Sequence, residues 1–149
     1  VTIYVVSPLG DRTFPLVNGN AGAITQGQAV YLAGPAANTV DLASAAADNA
    51  LARLMALVFD AAIAPAASGT FVYDGPAVGR FAPALVLAVG NEVFLSATVP
   101  GSLTNVAPAG AGQVPLYCGT IKNLLTYNGV GDLLAELMLE TAGPKRVNP

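Results

Sequence analysis

The sequence predicts an all-β protein, a small β-barrel or sandwich built from a duplicated two-strand unit and preceded by an extended N-terminal arm. Three observations lead there. Short apolar runs are punctuated about every eight to twelve residues, and 16 Gly and 11 Pro in 149 residues supply the turns. Several runs are rich in β-branched and aromatic residues, which suit a pleated surface. The third observation is an internal repeat: residues 90–96 (GNEVFLS) restate the plan of residues 27–33 (GQAVYLA). Further on, residues 102–105 (SLTN) answer residues 39–42 (TVDL), and the apolar run 114–121 answers 52–59. Motif and spacing recur together, the mark of a duplicated supersecondary unit.

Taken in order, the chain opens with Thr2, Ile3, Tyr4, Val5 and Val6, a β-prone run stopped by Pro8 and Gly10. It lies outside the repeat, so the repeat need not provide its hydrogen-bond partners. These five residues are therefore the candidate contact with a neighbouring sheet edge, by strand addition; an ordinary first strand of the protein's own sheet is the alternative. Residues 14–17 form a second run, and Asn18-Gly19 after it predicts a tight turn in which both residues take positive φ. Residues 23–25 then lead into the first repeat.

Residues 42–64 carry conflicting signals. Leu51, Leu54, Met55 and Val58 have helical spacing and Asp48 is placed to cap them. The counterpart run 114–121, however, holds Pro115 and Gly119, which a helix interior resists. Repeat consistency outweighs a weak propensity scale, so residues 52–59 are predicted to be a buried strand. Residues 70–73 form a strand closed by Asp74-Gly75-Pro76, and residues 83–89 feed the second repeat. In residues 133–141, Glu136 and Glu140 alternate with Leu133, Ala135, Leu137 and Leu139, the pattern of a half-buried strand; Leu133, Leu134, Leu137 and Met138 also have helical spacing, and the strand is the reading adopted. The organisation is thus an arm with first strands at 1–23, one β domain at 24–142 containing repeats 27–59 and 90–121, and a flexible polar tail at 143–149.

Composition narrows the function. A hydrophobic fraction of 54% with only 10% charged residues is high for an isolated soluble chain and favours a subunit of an assembly. No apolar run of 18 residues is free of charge, so no transmembrane helix is expected. The N-terminus lacks a signal-peptide pattern, and Val1 is what loss of an initiator methionine is expected to leave. The net charge is −3 and the six Lys and Arg are dispersed, which argues against nucleic acid as a direct partner.

Catalytic and metal chemistry find little to work with. There is no histidine, and the single cysteine, Cys118, sits in an apolar run as a buried small hydrophobe. Asp60 and Asp74 are the one pair with a carboxylate logic, and the habit of Asp to bond turn backbone outweighs it. Asp41 and Asp48 lack calcium-loop spacing. Gly110-Ala111-Gly112 and Gly129-Val130-Gly131 lack the lysine and hydroxyl residue that complete a phosphate loop. Tyr31, Phe59, Phe71, Tyr73, Phe94 and Tyr117 read as core rather than as sugar-stacking platforms. The expectation is a non-enzyme without metal or cofactor.

From Ser68 to Ile121, and more weakly back to Ile24, the pattern Gly-x-x-Val-aromatic-Leu-Ser-Ala-Thr, Pro-Gly, Leu-Thr, then Gly-Gln-Val resembles a β module of small tailed-phage capsid decoration (cement) proteins, found also in some phage fibre proteins. The resemblance implies a structural virion protein on the outer surface of a bacteriophage capsid. It would bind the major capsid protein, associate with itself as a homotrimer and stabilise the head by bridging capsomers. The alternative it implies is a receptor- or glycan-binding module of a head or tail fibre. Neither reading involves a membrane.

Overall fold

The computed structural model describes residues 13–34, 36–47, 52–127 and 133–140. The predicted arm of Thr2, Ile3, Tyr4, Val5 and Val6, Asp48, the Gly129–Gly131 turn and the tail lie outside these residues. Among the described residues all regular structure is strand, in twelve segments: β1 Thr13–Asn18, β2 Ile24–Thr25, β3 Ala29–Leu32, β4 Thr39–Leu42, β5 Ala56–Val58, β6 Ala62–Ile63, β7 Ser68–Val72, β8 Asp74–Phe81, β9 Glu92–Leu95, β10 Leu103–Thr104, β11 Tyr117–Tyr127 and β12 Leu133–Glu140.

Ten of these strands close into two five-stranded barrels. The first runs β1-β4-β3-β5-β7 and the second β8-β10-β9-β11-β12, while β2 and β6 pair as a separate ribbon. The order is the same in both, and so is the sense of every pairing: β1 with β4 and β8 with β10 are parallel, and the other neighbours are antiparallel. Correspondence holds to the residue. Val30 pairs with Ala56, and Val93 with Gly119, so both partners move by 63 positions (30 to 93, 56 to 119). Asn18 opposite Val40 becomes Phe81 opposite Leu103 at the same displacement. Only the last strand is offset further: Phe71, opposite Val58, corresponds to Leu137, opposite Ile121, 66 positions on (71 to 137), because the stretch between the paired residues is three residues longer and β11 has two register shifts within it.

The repeat is therefore wider than the two strands legible in the sequence. It takes in β1, whose counterpart is β8, and the closing strands β7 and β12. Closure explains why short strands suffice here, since a barrel leaves no edge with unpaired amide and carbonyl groups.

Both ambiguous runs contain strand rather than helix, for a reason that propensity cannot supply, although of the predicted 52–59 only Ala56–Val58 is strand. β12 is paired along its whole length with β8 on one side and with β11 on the other. Leu133, Ala135, Leu137 and Leu139 enter the barrel, while Met138 and Glu140 face out. β5 is buried on both faces. Ala56 and Val58 belong to the interior of the first barrel, whereas Leu57 belongs to the cluster that continues into the second.

Asn18-Gly19 is not the predicted turn, because neither residue has positive φ. Period-two alternation carries Phe14, Leu16 and Asn18 inward, so Asn18 is buried at the inner end of β1. Its amide Nδ2 donates to the carbonyls of Ile63 (2.9 Å) and Gly22 (3.0 Å), and its Oδ1 accepts from the Asn20 amide at 2.8 Å. It thus ties the β2·β6 region to the barrel. Gly19 is small for close approach: a Cβ there would stand 2.5 Å from Thr39 Cγ2 and 3.0 Å from the Val40 carbonyl oxygen.

Candidate interaction surface

The residues singled out for chemistry serve structure where they are described. Asp60 Oδ2 accepts from the Thr70 amide at 2.8 Å, tying the loop after β5 to β7. Asp74 opens β8 opposite Glu140. Asp41 Oδ1 accepts from Asn20 Nδ2 (2.9 Å) and from the Leu42 amide (2.7 Å). Cys118 is fully buried, with Sγ donating to the Leu116 carbonyl at 3.3 Å. The Gly110 turn closes through Gln113, whose amide donates to the Gly110 carbonyl while its Oε1 accepts from the Gly110 amide.

Of the aromatic residues considered for sugar stacking, two are core and four are half-buried. Phe71 and Phe94 are buried, and Tyr31 and Phe59 pack against the second barrel's cluster. Tyr73 packs on the first barrel, its ring 5.5 Å from that of Phe14, and Phe94 meets Tyr117 edge-on at 6.1 Å. Among the described residues no three Cys, Asp or Glu side chains stand close enough together to hold a metal.

What the surface offers instead is packing. The two barrels meet at a seam formed by different faces of each. The first contributes the outer face of β3, β5 and β7 with the flanking loops, where Ala29, Ala43, Ala45, Leu57 and Val72 join the hydrophobic cluster of the second. The second contributes its rim around Arg80, Leu95 and Gly101. Backbone hydrogen bonds cross the seam: the Arg80 amide donates to Gly27 (2.8 Å), the Ala29 amide to Gly101 (2.7 Å), the Gly101 amide to Ala43 (2.7 Å) and the Ala45 amide to Ser96 (3.0 Å). Arg80 Nε adds a bond to the Gln26 carbonyl at 3.0 Å. Gly27 is required there, since its φ is +82° and a Cβ would stand 2.5 Å from the Arg80 amide nitrogen.

Beyond the seam, apolar exposure is one-sided. Of the large exposed hydrophobics among the described residues, Val86, Val89, Val106, Leu124 and Met138 lie in the second repeat and only Leu32 in the first. Leu85, Val86 and Leu87 face Leu124, Leu125, Leu133 and Leu134 across an open apolar groove of about 330 Å³. The repeat explains its position. In the first barrel the equivalent place holds the β2·β6 ribbon, whose Ile24 and Ile63 pair and are buried.

Sequence reasoning anticipated surplus apolar surface but not its location. The signal lay in the alignment of the repeats, where residues buried in one copy face solvent in the other. In comparisons with known proteins, no family model and no curated protein sequence matches the chain.

Proposed function

We propose that this protein is a structural virion subunit, a capsid decoration or cement protein that sits on the outer surface of a bacteriophage head as a homotrimer and bridges capsomers. The observation that carries the reading is the one-sided apolar surface of the second repeat, Val86, Val89, Leu124 and the groove beside them, on a chain with 10% charged residues. Such a surface suits a subunit that completes its burial in an assembly. The resemblance of residues 68–121 to the decoration-protein β module supports it, and the net charge of −3 suits an outer surface better than one facing packaged DNA.

The work of such a subunit is interface burial. Each apolar Å² removed from water contributes about 25 cal/mol before ordering costs are subtracted. Heads depleted of the protein are expected to lose resistance to heat and to internal pressure, and to regain it when the purified protein is added back. Depleted heads as stable as complete ones would sink the reading. Copy number distinguishes it from a fibre module: hundreds per particle for decoration, a few trimers for a fibre.

A further inference from the structure

We infer that copies of this chain join head to tail, the outer face of one copy's second barrel seating on the rim of the next copy's first barrel in a joint that repeats the internal seam. The inference needs only the free protein and stands apart from the capsid reading.

The seam is heterologous: the first barrel supplies its outer face and the second its rim. Because each barrel has the fold to present both, one outer face and one rim remain unused, and heterologous contacts propagate until they close. The unused surfaces are where the exposed apolar side chains lie. Gln26 and Ala43, buried at the seam, correspond at 63 positions to Val89 and Val106, and Val72 corresponds at 66 to Met138. Val89 and Val106 are each 64% exposed and Met138 is 42% exposed. On the rim the relation is inverted: Leu95 is fully buried, and its counterpart Leu32 is 55% exposed. Four of the six large exposed hydrophobics thus occupy positions that the seam buries in the other barrel.

The backbone is prepared in the same way. Gly27 at the seam and Gly90 on the unused face have φ of +82° and +89°, and Gly101 on the used rim and Asn38 on the unused one have +78° and +58°. At the seam the segment 27–29 is inserted between Arg80 and Gly101, bonding to both. In the first barrel the same slot is closed by one bond, from the Val17 amide to the Asn38 carbonyl at 2.8 Å. Docking opens that bond and turns the Val17 amide to the Gly90 carbonyl of the neighbouring copy. Glu92 and Thr120 replace Ala29 and Leu57 on the unused face, so the joint is more polar than the seam, as befits an interface between chains that fold separately.

Light scattering on the full chain and on the single variants Leu32→Glu and Val106→Glu tests this. Both side chains are exposed in a lone chain, so each variant should keep the wild-type far-UV circular dichroism spectrum and unfold cooperatively, at a melting temperature below that of the wild type only by what association adds. The wild type is expected to be oligomeric and each variant monomeric. An equimolar mixture of the variants should form a one-to-one heterodimer and nothing larger, because each keeps one intact face; a two-fold symmetric interface would not be rescued this way. A wild type that is monomeric at all concentrations, variants that assemble as the wild type does, or a mixture that stays monomeric would each overturn the inference.

Discussion

The two barrels share a strand order and a register, yet they close their interiors differently. In the first, Asn18 stands at the inner end of β1 and bonds to the β2·β6 region. In the second, the same position is Phe81, buried in the main hydrophobic cluster, and the ribbon's place is an apolar groove. One barrel is sealed by hydrogen bonds and its own chain, the other by side-chain volume. The lesson is that a duplicated backbone can diverge in surface while its registers stay fixed, because pairing constrains the strands and leaves the ends free to vary.

The strongest test of the comparison is to empty each core at matched positions. Phe71→Ala and Leu137→Ala remove corresponding buried side chains, at expected costs of about 3–5 and 2–5 kcal/mol respectively. Because the cluster of the second barrel continues through Ala29, Leu57 and Val72 of the first, each variant should unfold in one transition shifted to lower denaturant. Two resolved transitions would mean that the seam does not couple the barrels.

Matched glycines sharpen the contrast between the used and unused faces. Gly27→Ala forces a Cβ against the Arg80 amide and the Gly79 carbonyl carbon, so the seam must part, and a loss above about 3 kcal/mol is expected. Gly90→Ala meets nothing within 4 Å and should cost the single chain only the strain of positive φ, about 1–2 kcal/mol. Equal losses in chemical denaturation would break the distinction.

Asn18→Ala should cost about 2–3 kcal/mol, by leaving the Ile63 carbonyl and the Asn20 amide without their partner. Its effect should appear as faster amide exchange around β2 and β6. The smallest expected effect is at Lys122, whose Nζ lies 3.0 Å from Glu136 Oε1 on the outside of the β11–β12 pair. Lys122→Ala should change stability by less than about 1 kcal/mol, and raised salt should abolish the difference.

How far the sequence disclosed the fold follows from which positions each unit must keep. β3 and β9 were legible because the turn before each needs its glycine and because Val30 and Val93 fill the same interior place. β1 and β8 were not, since their inward residues are Phe14, Leu16 and Asn18 in one and Ala77, Gly79 and Phe81 in the other. Large and small are exchanged across the barrel, with Leu103 and Leu137 occupying the space beside Gly79. No residue type survives that exchange. The role of Asn18 was masked by the turn preference of the dipeptide Asn-Gly, although strict alternation after Phe14 and Leu16 already placed it inward. The apolar surplus was visible in composition, but burial depends on which neighbour is present, and no local pattern records that.

The junction between the barrels carries one last consequence. β7 ends at Val72 and β8 begins at Asp74, so a single residue, Tyr73, joins the two, and its ring is itself packed on the first barrel. No slack remains for a swivel. Torque applied to one barrel passes through this one-residue link and the cross-seam bonds into the other. The short link limits how far the units can part, and the seam bonds on either side of it select the angle at which they meet.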